Sequence, residues 1–377
     1  MSEKRGKRES EPSKVYFMNF RAHKTSQSKV RKVEQIFKKA GFESIFQNRD
    51  LTAVKLHFGE RGNDAYINPV FVRAVMDCIK ETGALPFATD TNTLYEGYRK
   101  NAVEHIETAI LHGFNYSVLQ TPVIIADGLK GDNEIEVEVN LKNFKTVKIA
   151  KDIEDADAMI VLTHFKGHLM SGFGGAIKNL AMGCASVSGK WAQHSSSQPA
   201  VDKERCTKCG ACIRTCPAQS IVMEADGAQI IKTTCLSCGH CMICPRDAVY
   251  FDWAEMPGFT DRMVEYAYGA VKSKKGKIGY ITFVMNVTPD CDCTPWSDAA
   301  IVPDIGILAS TDPIALDQAC FDLVNKSIGL SDSELKCNHK KGEDKFKGVW
   351  ENTNGERQLE YGEELGMGSR KYILIEE

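Results

Sequence analysis

Two apolar rhythms alternate along this chain, one with a period near two and one near 3.6. Residues 15–20 alternate as a first strand. Residues 28–40 put Val30, Val33, Ile36, Phe37 and Ala40 on one helical face, and Gly41 stops that helix. A second strand is predicted over 51–58, and a helix over 69–82 opened by Pro69 and stopped by Gly83. A third strand over 85–89 and a helix over 102–111 follow. This order predicts an α/β fold with a mostly parallel sheet flanked by helices.

Further strands are predicted at 123–126, 135–139 and 147–150. Ile135, Val137 and Val139 alternate with Glu134, Glu136 and Glu138, as in an antiparallel edge with one exposed face. Residues 158–162 are a continuous apolar run, the mark of a central buried strand. They lead into Thr163-His164-Phe165-Lys166-Gly167-His168, read as a loop, and Gly172-Phe173-Gly174-Gly175 opens a helix through Met182. Later come a helix at 261–271, strands at 277–286 and 305–309, and a helix at 312–328 with Pro313 in its first turn. Asp312 is expected to cap that helix. In the charged, glycine-rich C-terminal part only 372–375 reads as a strand.

Between these halves the rhythm breaks. The chain reads Cys206-x-x-Cys209-x-x-Cys212-x-x-x-Cys216-Pro217, then Cys235-x-x-Cys238-x-x-Cys241-x-x-Cys244-Pro245. Eight of the fourteen cysteines fall here. Three thiols spaced by three wrap one corner of a cube, and the fourth, before proline, ligates the cluster held mainly by the other run. Disulfides between cysteines so close in sequence would be strained, and zinc would need only two of the Cys-x-x-Cys pairs. The stretch resembles the two-cluster bacterial-type ferredoxins, which implies two [4Fe–4S] clusters held by these eight cysteines. One departure falls in the second run, where Met242 and Ile243 stand in place of that family's three residues before the last cysteine. Cys244 is therefore the ligand most exposed to question. Short strands are expected at 220–223, 228–232 and 249–252, with Asp226-Gly227 as a hairpin turn. Ile221, Val222, Ile230, Ile231, Val249 and Phe251 are expected to cover the clusters.

A sheet that starts before the cysteines and continues after them predicts one domain with an insertion, which costs little at an exposed loop. The expected division is a disordered tail over 1–14, a discontinuous α/β domain over 15–198 and 257–377, and a two-cluster ferredoxin-like domain over 199–256. Residues 191–198, with Ser195-Ser196-Ser197, read as the leading linker. Composition agrees with a soluble globular chain, at 43% hydrophobic and 26% charged. A net charge of −3 argues against nucleic acid or anionic lipid as a partner. No apolar run reaches the roughly 18 residues of a membrane span, and no signal peptide is evident. So many reduced thiols predict a cytoplasmic protein.

The layout also resembles the uncharacterised family called domain of unknown function three-six-two, in its form carrying a ferredoxin insert. The matching residues are Lys55-Leu56-His57, Asp90-Thr91-Asn92, Thr163 to His168, Gly172 to Leu180 ending in Ile177-Lys178-Asn179-Leu180, and Ser310 to Asp317. This resemblance covers most of 15–329 and implies the architecture; the family carries no settled reaction.

Four polar groups fall at predicted strand ends: 57–61, 90–93, 163–168 and 290–293. Ligands of open parallel sheets bind there, so one shared cleft is expected. In it His57, His164 and Lys166 are acid–base or ligand candidates. His164 and His168 are four apart, a chelating spacing on a helix but an uninformative one in a loop. Gly172, Gly174 and Gly175 with Lys178 offer an anion site at a helix start, or else close backbone packing. Cys291 and Cys293 on an extended segment would point the same way, a candidate third metal or redox site with His57 or His164, or simply two reduced thiols. Cys78 and Cys320 read as core. No dinucleotide fingerprint is present, and a flavin, which needs no fixed motif, stays open with an additional metal. The leading expectation is an iron–sulfur oxidoreductase relaying electrons to a substrate or cofactor in the α/β domain. Its partners would be a redox protein or a small-molecule substrate. The alternatives are a non-catalytic electron-transfer subunit docking onto an enzyme, and clusters with a structural or sensory role.

Overall fold

The computed structural model describes residues 12–376 apart from 96, 195–197, 217, 236–240, 242–243 and 252–255. Eight strands form the main sheet: β1 (Ser13–Asn19), β2 (Leu51–Lys55), β3 (Leu85–Asp90), β4 (Val123–Ile125), β5 (Ala158–His164), β6 (Ile278–Val284), β7 (Gly306–Ser310) and β8 (Tyr372–Glu376). Their spatial order is β8-β1-β7-β6-β5-β2-β3-β4. Neighbours pair in parallel except at β7, which runs against both β1 and β6. The fold is thus α/β with a mostly parallel sheet, built by strands from both sides of the cysteine-rich segment.

All seven residues of β5 are buried, as a strand covered on both faces must be. Met159 and Val161 enter one core, and Ile160 and Leu162 enter the other. The period-two alternation of a strand makes that division. The second core receives Val33, Ile36 and Phe37 from α1 (Lys29–Lys39) and Phe71, Val72 and Val75 from α2 (Pro69–Glu81). α3 (Ala102–Leu111) adds Ala102 and Ala109. The first core is covered by α4 (Ala176–Gly183), α6 (Met256–Lys272) and α7 (Pro313–Lys326). Between α4 and the cysteines lies α5 (Val187–His194), so helix continues into what the sequence marks as linker. Residues 195–197 of that linker lie outside the described residues.

Several local readings shift. Glu134–Glu138 and Thr146–Ala150 leave the main sheet and pair with each other in antiparallel fashion. Lys166–His168 is not a loop but a short strand against Gly172–Gly174. The C-terminal part holds helices Lys345–Val349 and Glu356–Glu364 that its charge and glycine content concealed. Cys78 and Cys320 are buried, as their apolar surroundings in sequence suggest.

The cysteine-rich segment has its own small sheets. Pro199–Val201 pairs with Val249–Phe251, bringing its two ends together, and Ile221–Glu224 pairs with Gly227–Ile230. Glu224 faces Gly227 in register, so the turn is Ala225-Asp226, one residue earlier than expected. Ile221, Ala228 and Val249 pack with Cys212 and Cys241, and Ile230 packs against them. Val222 and Ile231, expected to cover clusters, are each 39% exposed: Val222 begins an exposed run through Glu224, and Ile231 lies just past the end of its strand. Cys238, Met242 and Ile243 lie outside the described residues.

One carboxylate ties three distant segments. Asp312 Oδ1 accepts the Ile314 and Ala315 amides at 2.9 Å each, capping α7. Its Oδ2 accepts from Ser13 Oγ (2.6 Å) and the Ser369 amide (2.8 Å). Asp312→Ala should lower stability by about 2 kcal/mol, the upper end for a lost cap because four donors lose their acceptor. Urea unfolding measures this, and a loss below about 0.5 kcal/mol would contradict the account.

Candidate functional site

Because β6, β5, β2 and β3 are parallel neighbours, their carboxyl ends stand side by side. The last residues of β2, β3 and β5 are Lys55, Asp90 and His164. Lys55 is 1% exposed. Its Nζ lies 3.1 Å from Asp90 Oδ1, 2.7 Å from Asn179 Oδ1 and 3.0 Å from the Leu56 carbonyl. Burial would raise the Asp90 carboxyl, but Lys55, then His57, His105 and Arg99, outweigh it and hold the group well below the usual range. A Cβ on Gly183 would overlap Lys55 Nζ, so glycine in α4 leaves room for the amine.

Arg99 is the centre of the next group. Its guanidinium reaches Glu60 Oε2 (3.2 Å), His57 Nε2 (3.1 Å) and the Tyr95 hydroxyl (2.6 Å). Tyr95 in turn donates to the Cys293 carbonyl at 3.3 Å. His57 Nδ1 accepts the Gly59 amide at 2.9 Å. The ring also shares a side-chain hydrogen bond with Cys293. Burial, then the Arg99 charge, hold His57 below its ordinary value, so it is neutral near pH 7.

Asp292 fastens the cysteine turn. Its carboxylate meets His164 Nδ1 at 2.8 Å and Lys166 Nζ at 3.1 Å, while its carbonyl accepts the Glu60 amide at 3.0 Å. His164 Nε2 lies 2.9 Å from the carbonyls of both Met285 and Asn286. Both nitrogens of His164 therefore face oxygen acceptors, which gives it a holding role. The Thr294 amide donates to the Cys291 carbonyl at 3.1 Å and closes a turn. The segment is thus not extended as the sequence suggested, yet the Cys291 and Cys293 thiols share a hydrogen bond. That bond, with the Lys178 charge and the His57 contact, holds the Cys293 thiol well below its usual range against the opposing effect of partial burial. The same bond, with burial, pushes Cys291 up. Burial would lower the Lys178 amine, but Cys291, Cys293 and Asp292 outweigh it and raise it.

The expected convergence of four strand-end segments is therefore present, with His57, Lys178, Cys291 and Cys293 as one group and His164 and Lys166 bound to its floor. The glycine segment is arranged differently from the expected anion site. The Ala176 and Ile177 amides at the start of α4 donate to Asp317 Oδ1 (2.8 Å) and Oδ2 (3.0 Å). A Cβ on Gly175 would strike that carboxylate, so the packing alternative for this glycine is realised. Lys178 turns its charge to the thiols instead. His168 Nδ1 accepts the Met170 (3.2 Å) and Ser171 (3.1 Å) amides, so His164 and His168 each have Nδ1 engaged inside the protein. Glu60 falls within the expected 57–61 group, whereas Arg99, Tyr95 and His194 were not legible as site residues. They carry no motif, and only burial of their polar groups against the cleft marks them. Among the described residues no three His, Cys, Asp or Glu side chains are arranged to hold a metal ion.

The profile of the family described as Domain of unknown function (DUF362) matches residues 52–322, from β2 into α7 and across the cysteine-rich segment. The chain belongs to the DUF362 family. No curated protein matches it closely enough to count as a relative. Among solved structures, this DUF362 chain is similar to the lactate racemase apoprotein from Thermoanaerobacterium thermosaccharolyticum, at 12% identity and a TM-score of 0.37, over 67% of this chain and 49% of that one. It is also similar to a structural-genomics protein from Thermotoga maritima, at 10% identity and a TM-score of 0.38, over 89% of this chain and 59% of that one. The chain thus spans about half to three fifths of the length of these two proteins. No described helix is long and apolar enough to cross a membrane.

A pH dependence follows from the cleft's rim in this DUF362 protein. Burial, then the Lys178 charge, push His194 down to about 4. An unfolded histidine titrates near 6.5. Between those values the unfolded chain binds more protons, so the stability contributed by neutral His194 is lost as pH falls from about 6.5 to about 4. The urea midpoint of the native chain should fall more steeply across this window than that of His194→Gln. Parallel profiles for the two would refute this.

Proposed function

We propose that this chain is an iron–sulfur oxidoreductase: residues 199–256 hold two [4Fe–4S] clusters, and a substrate or partner redox group is handled in the strand-end cleft. The observation that carries the reading is the surroundings of Cys212. Burial, then the Cys244 charge, raise its thiol, with Cys206 also contributing. Cys244 closes the second run, so a thiol from each run lies beside Cys212, as the shared ligation of two clusters demands. This also supports Cys244 as a ligand despite the shortened spacing before it.

The polypeptide further suits thiolate sulfur. The Ser220 amide donates to Cys216 Sγ at 3.2 Å and the Ala228 amide to Cys206 Sγ at 3.4 Å. The Ala228 bond, then one from Lys208, hold the Cys206 thiol below its ordinary value. Such N–H···S bonds favour the form that binds iron and tune a cluster's potential. Cys235 and Cys241 are buried, while Cys209 is exposed. A cube carries one thiolate on each iron, so its ligands spread around it and need not meet as they do at a single ion.

Bound clusters supply one-electron transfer. The chain's own residues do the rest. Neutral His57, with Nδ1 accepting the Gly59 amide, is placed to steady a Cys293 thiolate, Lys178 to hold negative charge, and Asp292, His164 and Lys166 to fix the cysteine turn between them. The segment is also attached beside the cleft. His194 ends α5 and feels the charges of Lys178 and Cys293. Its ring centroid lies 5.0 Å from that of Phe259 in α6, the helix that leads away from the segment.

Anaerobically purified full-length chain should carry about eight irons, and Cys212→Ser should lose roughly half of them. Iron analysis with an absorption spectrum checks both. Native protein with far less iron would remove the proposal.

A further inference from the structure

Deepening this redox reading of the cleft, on which it rests, we infer that Cys291 and Cys293 are a dithiol–disulfide couple that exchanges an electron pair with a disulfide substrate. Three features of the site support this. The two thiols share a hydrogen bond within one turn, which the Thr294 amide closes at 3.1 Å. Their access differs: Cys293 is partly exposed, while Cys291 is only 8% exposed. An attacking sulfur must reach the substrate, and a resolving sulfur need only reach the attacker. Finally, the Lys178 charge and the neutral His57 both bear on Cys293. The first stabilises a thiolate by its charge, the second by its hydrogen bond to the sulfur.

The exchange balances on these groups. The Cys293 thiolate attacks one sulfur of R–S–S–R′, forming the mixed disulfide Cys293–S–S–R and releasing R′S⁻. Cys291 passes its proton to the released R′S⁻, which leaves as R′SH, and attacks the Cys293 sulfur, forming an internal disulfide that is strained and so readily reduced, and releasing RS⁻. The substrate has gained two electrons and the pair has lost two. Return to the dithiol takes two electrons, in two steps, from a one-electron donor of the iron–sulfur class, and one proton from solvent returns to Cys291.

The test uses full-length chain purified anaerobically, with glutathione disulfide as probe and alkylation mapped by mass spectrometry. In the native chain Cys291 and Cys293 should lose alkylation together, with no retained adduct. Cys291→Ser should accumulate a glutathione adduct at residue 293, and Cys293→Ser should carry none at residue 291. Exposed Cys337 serves as the internal reference for indiscriminate reaction. The inference is overturned if the native pair stays fully alkylatable, or if the Cys291→Ser chain carries adduct at Cys337 and not at Cys293. Should both variants misfold, the native-chain measurement decides by itself. Iron counted on the same samples separates the two readings. Exchange without iron upholds the couple and removes the clusters, whereas iron without exchange does the reverse.

Discussion

The buried pair of Lys55 and Asp90 constrains everything around it. Two charges at the ends of adjacent parallel strands lie 3.1 Å apart with almost no exposure. Removing both from water costs several kcal/mol each, and their attraction offsets that only when the remaining hydrogen-bonding capacity is filled. Asn179 and the Leu56 carbonyl complete the lysine, and Arg99 stands 3.8 Å from the aspartate. Each added charge needs a partner of its own. Arg99 finds Glu60, and Glu60 accepts the Tyr98 amide at 3.0 Å, fixing the loop that follows β3. The cleft is thus a chain of compensations that begins at the sheet.

The same logic reaches the cysteine turn. Asp292 is 1% exposed and is held by His164 and Lys166, at 2.8 and 3.1 Å. This places Cys291 and Cys293 against Lys178 and His57 without either thiol contributing to the fold's core sheet. A group held by charges from several elements keeps its geometry when one loop moves, and that geometry is what proton and electron transfer require.

Structure and proposed function meet at the attachment of the cysteine-rich segment. Antiparallel pairing of Pro199–Val201 with Val249–Phe251 draws its ends together. The helices on either side, α5 and α6, meet through His194 and Phe259, whose ring centroids lie 5.0 Å apart. The proposed electron transfer works over short distances, and an anchorage of this kind is what that role calls for.

Sequence alone determined the α/β class, the buried central strand and the eight-cysteine pattern, because each is written in local periodicity or spacing. Helix α2 shows this well: Asn68 accepts the Val70 amide at 3.1 Å and Pro69 opens the first turn, as the residues dictate. Tertiary structure decided the charges. Asp317 reads as one acid within a helix, yet its carboxylate fills the amides at the start of α4, 140 and 141 residues earlier in the chain. Arg99 and Asp292 likewise have partners 39 and 128 residues away. Periodicity reports which face a residue occupies, whereas the need of a buried charge for a counter-charge is met by whatever the fold brings near, and no local pattern records it.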